Sequence, residues 1–160
     1  MKCSITPRRE SMTSRYSTTV IPEWIDYNGH MQDCYYALIF SRAVDGFQDD
    51  IGVDATYRQT TGRTIYLLEN HLFYLREVKV GAEVHVETQL IGHDSKRFHL
   101  YMTMFENGDL VSVCEVIELH VNQHPQPHAE PMPDAVLECL RTRLITDSEI
   151  DAWCEIVLSL

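Results

Sequence analysis

Tyr36, Phe40, Val44, Phe47 and Ile51 recur at helical steps along a proline-free stretch from about residue 30 to 51, the spacing that stacks side chains on one helix face. Leu38 and Ile39 widen this stripe, which predicts a deeply buried helix. Ahead of it, residues 16–21 are rich in Thr and β-branched side chains and predict a first strand, stopped by Pro22. A loop carrying Trp24 and Asp26 joins the two. Beyond a polar stretch with Gly62 the period changes to two. Residues 63–75 form one long apolar segment. Val84, Val86, Thr88 and Leu90 then alternate with His85, Glu87 and Gln89, and a Gly92-His93-Asp94-Ser95 turn leads into Phe98, Leu100, Met102 and Met104. Asn107-Gly108 is a strong hairpin signal that returns residues 110–121 as the last strand. Four of the six prolines fall in 122–134, which reads as a linker. Two short helices are predicted after it, 134–144 and 147–158, the second behind a Thr146-x-x-Glu149 capping box. The pattern predicts an α+β fold in which a five-stranded antiparallel sheet meets one long helix. Residues 1–15 read as an extension, 16–121 as the domain, and 122–160 as linker and C-terminal helices.

Composition narrows what such a domain does. With 160 residues and 44% hydrophobic content the chain supports one core. Its 13 Lys and Arg against 24 Asp and Glu give a formal net charge of −11, which opposes binding to nucleic acid or anionic membrane. No window approaches the roughly 20 apolar residues of a membrane span, and the polar N-terminus lacks the apolar stretch of a signal peptide, so a cytoplasmic protein is expected. Five scattered cysteines without a Cys-x-x-Cys pair predict reduced thiols. The eight histidines form no ligand pattern, so no metal is expected.

Asp26, just ahead of the long helix, has two readings. It is an N-cap contributing about 1 kcal/mol, or a carboxylate placed beside helix N–H groups that have no intrahelical partner. Asn28-Gly29 is a good turn, and the missing side chain at Gly29 would also admit a substrate. His30 either positions a reacting group or holds the loop together.

These residues carry a resemblance. The stretch Ile21-Pro22-Glu23-Trp24-Ile25-Asp26-Tyr27-Asn28-Gly29-His30-Met31, with Glu69-x-His71, Tyr74-Leu75-x-Glu77-Val78-Lys79-x-Gly81 and Asp94-x-Lys96-Arg97-x-His99, is similar to hotdog-fold thioesterases of the 4-hydroxybenzoyl-CoA type. Within them it most resembles those associated with carnitine dehydrogenase. The resemblance implies a sheet wrapped around the helix, a homodimer or homotetramer, and hydrolysis of betainyl-CoA to glycine betaine and CoA. It implies no cofactor, CoA being part of the substrate. It also implies that Asp26 is nucleophile or general base and that the backbone N–H of Asp33 receives the developing oxyanion. Relatives carry paired Asn residues where this chain has Gln32 and Asp33, so those side-chain contacts do not carry over.

A trimethylammonium acyl group offers no hydrogen-bond donor, and aromatic faces suit it. Trp24, Tyr27 and Tyr66 are the candidates, with Asn28 and Gly29 along the loop and Glu69 as a counter-charge. Lys96 and Arg97 are candidates for the CoA phosphates, or else a solvated turn. Another short or aromatic acyl-CoA, an acyl-carrier protein, or a non-catalytic acyl-CoA-binding role are the alternatives.

Overall fold

The computed structural model describes residues 13–145. The predicted helix at 147–158 and most of the N-terminal extension lie outside them. The chain runs through β1 (Ser14–Thr19), α1 (Asp33–Asp50), α2 (Ala55–Thr61), β2 (Arg63–Tyr74), β3 (Glu83–His93), β4 (Arg97–Glu106), β5 (Asp109–Asn122), β6 (His128–Ala129) and α3 (Asp134–Arg143). The strands form one antiparallel sheet in the order β1-β3-β4-β5-β2. The two-residue β6 pairs with the end of β5, so the expected linker contributes a sixth strand.

The predicted helical stripe is the core. Tyr36, Phe40, Val44, Phe47 and Ile51 are all buried, and Phe47 meets Phe98 of β4 at 5.7 Å between ring centroids. The inward positions of the strands answer it: Val84, Val86 and Leu90 on β3, Phe98, Leu100, Met102 and Met104 on β4, Cys114 and Val116 on β5. Ile39 is buried as expected but Leu38 is not. At 100° per residue Leu38 turns away from the stripe, so the helix keeps one open side.

Two differences have local causes. The helix starts at Asp33 rather than near His30, because residues 25–31 close on themselves first. The polar stretch before Gly62 contains α2, which has no buried residue and hence no apolar period to read. Its ends are conventional. Asp54 caps it by accepting a 2.8 Å bond from the Tyr57 N–H, and Gly62 ends it at φ +67°.

The edge strand β2 differs from the rest. Leu67, Leu68, Phe73 and Tyr74 are each more than half exposed there. A bulge between Leu67 and Glu69 breaks its register with β5.

Candidate active site

The segment ahead of α1 is a closed loop. A single 3-10 turn, Pro22–Trp24, delivers the chain to Ile25, which bridges Met31. Within that bridge the Asp26 N–H donates to the His30 carbonyl at 3.0 Å, and the Gly29 N–H donates to the Asp26 carbonyl at 3.0 Å. Gly29 turns the chain at φ +80°, where a side chain would be strained. Two further bonds pin the base of the loop, Met31 N–H to Val78 O at 2.7 Å and Gln32 N–H to Trp24 O at 2.9 Å.

Inside this loop the Asp26 carboxylate is held by one residue. The Asn28 N–H donates to Oδ1 at 2.8 Å and the Asn28 side-chain amide to Oδ2 at 3.4 Å. Asp26 therefore does not cap α1. The N-cap position belongs to Gln32, whose side chain makes no capping bond; its carbonyl takes the Tyr35 N–H at 3.0 Å, and the Asp33 N–H has no partner among the described residues. The Asp33 carboxylate accepts from the Cys34 N–H at 2.9 Å. Its carbonyl accepts from the Tyr74 hydroxyl at 3.4 Å, which ties the end of β2 to the helix start. His30 pairs with Glu77 at 3.0 Å.

Beside the helix start lies an open cleft of about 300 Å3 bordered by Met31, Asp33, Tyr36, Tyr74, Arg76 and Glu77. Burial pushes the Tyr36 hydroxyl up to about 12 and raises that of Tyr74. Both phenols are thus neutral donors at neutral pH.

The other predicted residues are scattered. Trp24 is 7% exposed, stacked on Tyr35 at 5.3 Å and covered by the Arg42 guanidinium at 5.8 Å from its ring centre. Its indole is a packing element, which corrects its assignment to a cation box. Tyr27, at 97% exposed, points into solvent. Tyr66 and Glu69 lie on exposed β2, Glu69 beside His71 at 3.4 Å. Arg97 is bound to Asp94 by two bonds of 2.9 and 2.7 Å, which neutralises much of its charge, and Lys96 reaches the Ala129 carbonyl at 3.4 Å.

Strand register shows how these groups divide. Arg97 and Tyr66 both stand opposite Leu119, whereas Tyr74 stands opposite Ser112. Eight residues of strand separate Tyr66 from Tyr74, roughly 26 Å at 3.3 Å per residue. The Asp33–Tyr74 and His30–Glu77 contacts hold the residue 26–33 segment at the Tyr74 end of the sheet, and Tyr66, Lys96 and Arg97 stand towards the other end.

Sequence reasoning missed a second feature, a cavity of about 180 Å3 between α1 and the β2–β5–β4 side of the sheet. Glu118 lines it, 4% exposed, and no hydrogen bond or ion pair reaches its carboxylate among the described residues. Burial, with the Asp45 charge nearby, pushes Glu118 up to about 7. Cys114, also in the lining, is pushed by burial up to about 12 and is an inert thiol. The signal was present: Cys114, Val116, Glu118 and His120 follow one another on the inward phase of β5, where a glutamate is out of place. Among the described residues no group of three His, Cys, Asp or Glu is placed to hold a metal ion.

A curled antiparallel sheet around α1, with a carboxylate loop at the helix start, defines a hotdog protein of the thioester-hydrolase class. The chain belongs to the thioesterase-like superfamily, whose family model matches residues 20–140. It is 43% identical over 124 residues to the betainyl-CoA thioesterase of Pseudomonas aeruginosa, covering 76% of this chain and 77% of that protein. It is 39% identical over 118 residues to the L-carnitine dehydrogenase/betainyl-CoA thioesterase of Agrobacterium fabrum. That match covers 73% of this chain but only 24% of the longer protein. Among solved structures, a Staphylococcus aureus protein in complex with CoA superposes with a TM-score of 0.80 at 30% identity, covering 85% of this chain and 88% of that one.

Proposed function

We propose that this enzyme hydrolyses betainyl-CoA to glycine betaine and CoA. The observation that carries the proposal is the Asp26 carboxylate, fixed on a closed loop and excluded from capping, ahead of a helix whose first N–H, that of Asp33, has no partner among the described residues. The 43% identity to a betainyl-CoA thioesterase supports the substrate.

The chemistry follows from the parts. Asp26 attacks the thioester carbon itself or takes a proton from the water that does so. The carbonyl oxygen becomes negative and is met by the Asp33 N–H and the positive end of the α1 dipole, a donor whose loss costs about 2.7–4 kcal/mol of transition-state stabilisation. The C–S bond then breaks, and CoA leaves as its thiolate and takes up a proton; if Asp26 itself attacked, the acyl group is left on it as an anhydride, which water hydrolyses to glycine betaine and the free carboxylate. His30, anchored on Glu77, holds the rim of the loop. No cofactor takes part in these steps. A CoA substrate is consistent with a cytoplasmic location.

A homodimer completes the site in this reading. Among the described residues the outer edge of β2 pairs with no strand, and it carries exposed Leu67, Leu68 and Phe73; an apolar edge of this length favours strand-to-strand pairing with a second copy. Antiparallel pairing about a two-fold axis sets the Tyr74 end of one β2 beside the Arg63 end of the other. Each Asp26 loop then faces the end of its partner that carries Tyr66, Lys96 and Arg97, which serve the substrate and the CoA phosphates there.

The test is release of free CoA thiol from betainyl-CoA, acetyl-CoA, 4-hydroxybenzoyl-CoA and a long-chain acyl-CoA. Preference for betainyl-CoA is the expected result. Preference for another thioester would keep the class and reject the substrate, and binding without turnover of any of them would reject catalysis.

A further inference from the structure

The cavity between α1 and β5 poses a problem in electrostatics. A carboxylate in hydrocarbon surroundings is costly unless it is paired, and Glu118 has neither donor nor counter-ion among the described residues. The charge closest to it in effect is Asp45, which repels it. Phe40, Val44, Met102 and Val116 supply the apolar walls, and Asp45 stands at the exposed side. The Arg58 guanidinium reaches Gln48 at the Asp45 side and partly offsets the Asp45 charge, but no cationic side chain lines the cavity beside Glu118.

The lining also limits what kind of cation fits. The two amide oxygens within it are already engaged. Gln48 Oε1 accepts from Arg58 at 3.4 Å, and Asn70 Oδ1 accepts from the Cys114 thiol at 3.7 Å. The oxygens left are the Ser41 hydroxyl and the Glu118 and Asp45 carboxylates, fewer than the roughly six ligands a hard metal ion takes, and among the described residues no three acidic, His or Cys groups are placed for one. A quaternary ammonium needs none, because its charge is spread over methyl groups that pack against hydrocarbon and aromatic faces. The volume agrees: an apolar cavity of roughly 150 Å3 holds a benzene molecule, and this one is about 180 Å3.

We propose that this cavity seats the quaternary ammonium head of the acyl group, with Glu118 as its counter-charge and Asp45 drawing the cation in at the mouth. The proposal rests on the betainyl-CoA reading and adds to it the residue that selects a cation. It also fixes which chain does what. Twelve helical residues separate Asp33 from Asp45, about 18 Å along the axis. In betainyl-CoA only two bonds separate the nitrogen from the scissile carbonyl. A head held beside Glu118 of one protomer therefore presents its carbonyl to the Asp26 loop of the other. Leu67 and Phe98, the register partners of Glu118, place it in the end of the sheet that β2 pairing brings to the second helix start.

The experiment compares betainyl-CoA with 3,3-dimethylbutanoyl-CoA, the uncharged thioester in which carbon replaces nitrogen, in wild type and Glu118→Gln. Wild type is expected to prefer the cation, and Glu118→Gln to lower that preference by more than about tenfold in kcat/KM. An equal fall on both thioesters, or no change in their ratio, would overturn the proposal. Tetramethylammonium titrated into both proteins by calorimetry gives a readout that does not depend on catalysis. Binding to wild type that weakens in Glu118→Gln supports the site even if betainyl-CoA is not turned over, in which case the substrate reading alone fails. Absence of binding to wild type would overturn the site. Mixed dimers of Asp26→Asn and Glu118→Gln add a third arm. Recovery of activity on mixing supports the division between chains, and no recovery after subunit exchange overturns it.

Discussion

Asn28 holds both oxygens of the Asp26 carboxylate, one through its main-chain N–H at 2.8 Å and one through its side-chain amide at 3.4 Å. The two bonds differ in strength and in what removes them. Asn28→Ala deletes only the longer bond, so kcat is expected to fall about fivefold, the equivalent of about 1 kcal/mol, with the melting temperature nearly unchanged. Steady-state kinetics with a thermal melt check both halves.

His120 is fully buried, with the Glu130 carbonyl 2.8 Å from Nδ1 and the Tyr57 hydroxyl 2.8 Å from Nε2. Nδ1 donates and Nε2 accepts, so the ring is neutral, and burial lowers its pKa accordingly. His120→Leu leaves a hydroxyl and a carbonyl without partners. Urea denaturation is expected to show a loss of about 2–3 kcal/mol.

How much of this was legible in the sequence follows from which residues carry a period. The α1 stripe and the alternation on β3, β4 and β5 are repeated over many residues, so the core and the antiparallel order could be read directly. Helix α2 could not, because its seven residues bury nothing, although Asp54 and Gly62 marked its ends. The acid loop was legible as a motif, and its hydrogen bonds decide against the capping reading. Trp24 was misassigned because a tryptophan near a motif looks the same whether its ring is free or stacked on Tyr35. Glu118 was overlooked for the opposite reason. A single charged residue in an alternating strand is easily passed over, and only the fold shows that its phase points inward.

Glu118 gives a sign to the pH dependence of stability. Its pKa is raised from about 4.5 in the unfolded chain to about 7 in the fold, so the native state holds the proton more tightly. The stabilisation this gives is fully present below about pH 4.5 and is lost as pH rises through about 7, an effect on the order of 3 kcal/mol at most. Asp45, also raised by burial, acts in the same direction. The difference in unfolding free energy between Glu118→Gln and wild type is therefore expected to grow in favour of the variant from pH 4.5 to 7 and to level off above. Denaturation curves at several pH values check this.

The outer edge of β2 sets the expected assembly. Leu68 sits at the bulge, about half exposed, on the strand that carries the pairing edge. Leu68→Lys places a charge there and is expected to convert a dimer into an 18.5 kDa monomer with lower activity. Light scattering after size exclusion reads the mass. A wild type that is already an active monomer would contradict the pairing.

The most direct test of the central claim is kcat/KM for betainyl-CoA in Asp26→Asn. The substitution keeps the size of the side chain and an oxygen for Asn28 to bind, and removes the charge that attacks or activates water. A fall of at least about a thousandfold, with unchanged fold by circular dichroism, is the predicted result. Activity within about threefold of wild type would contradict it and leave Asp26 as a loop-closing residue.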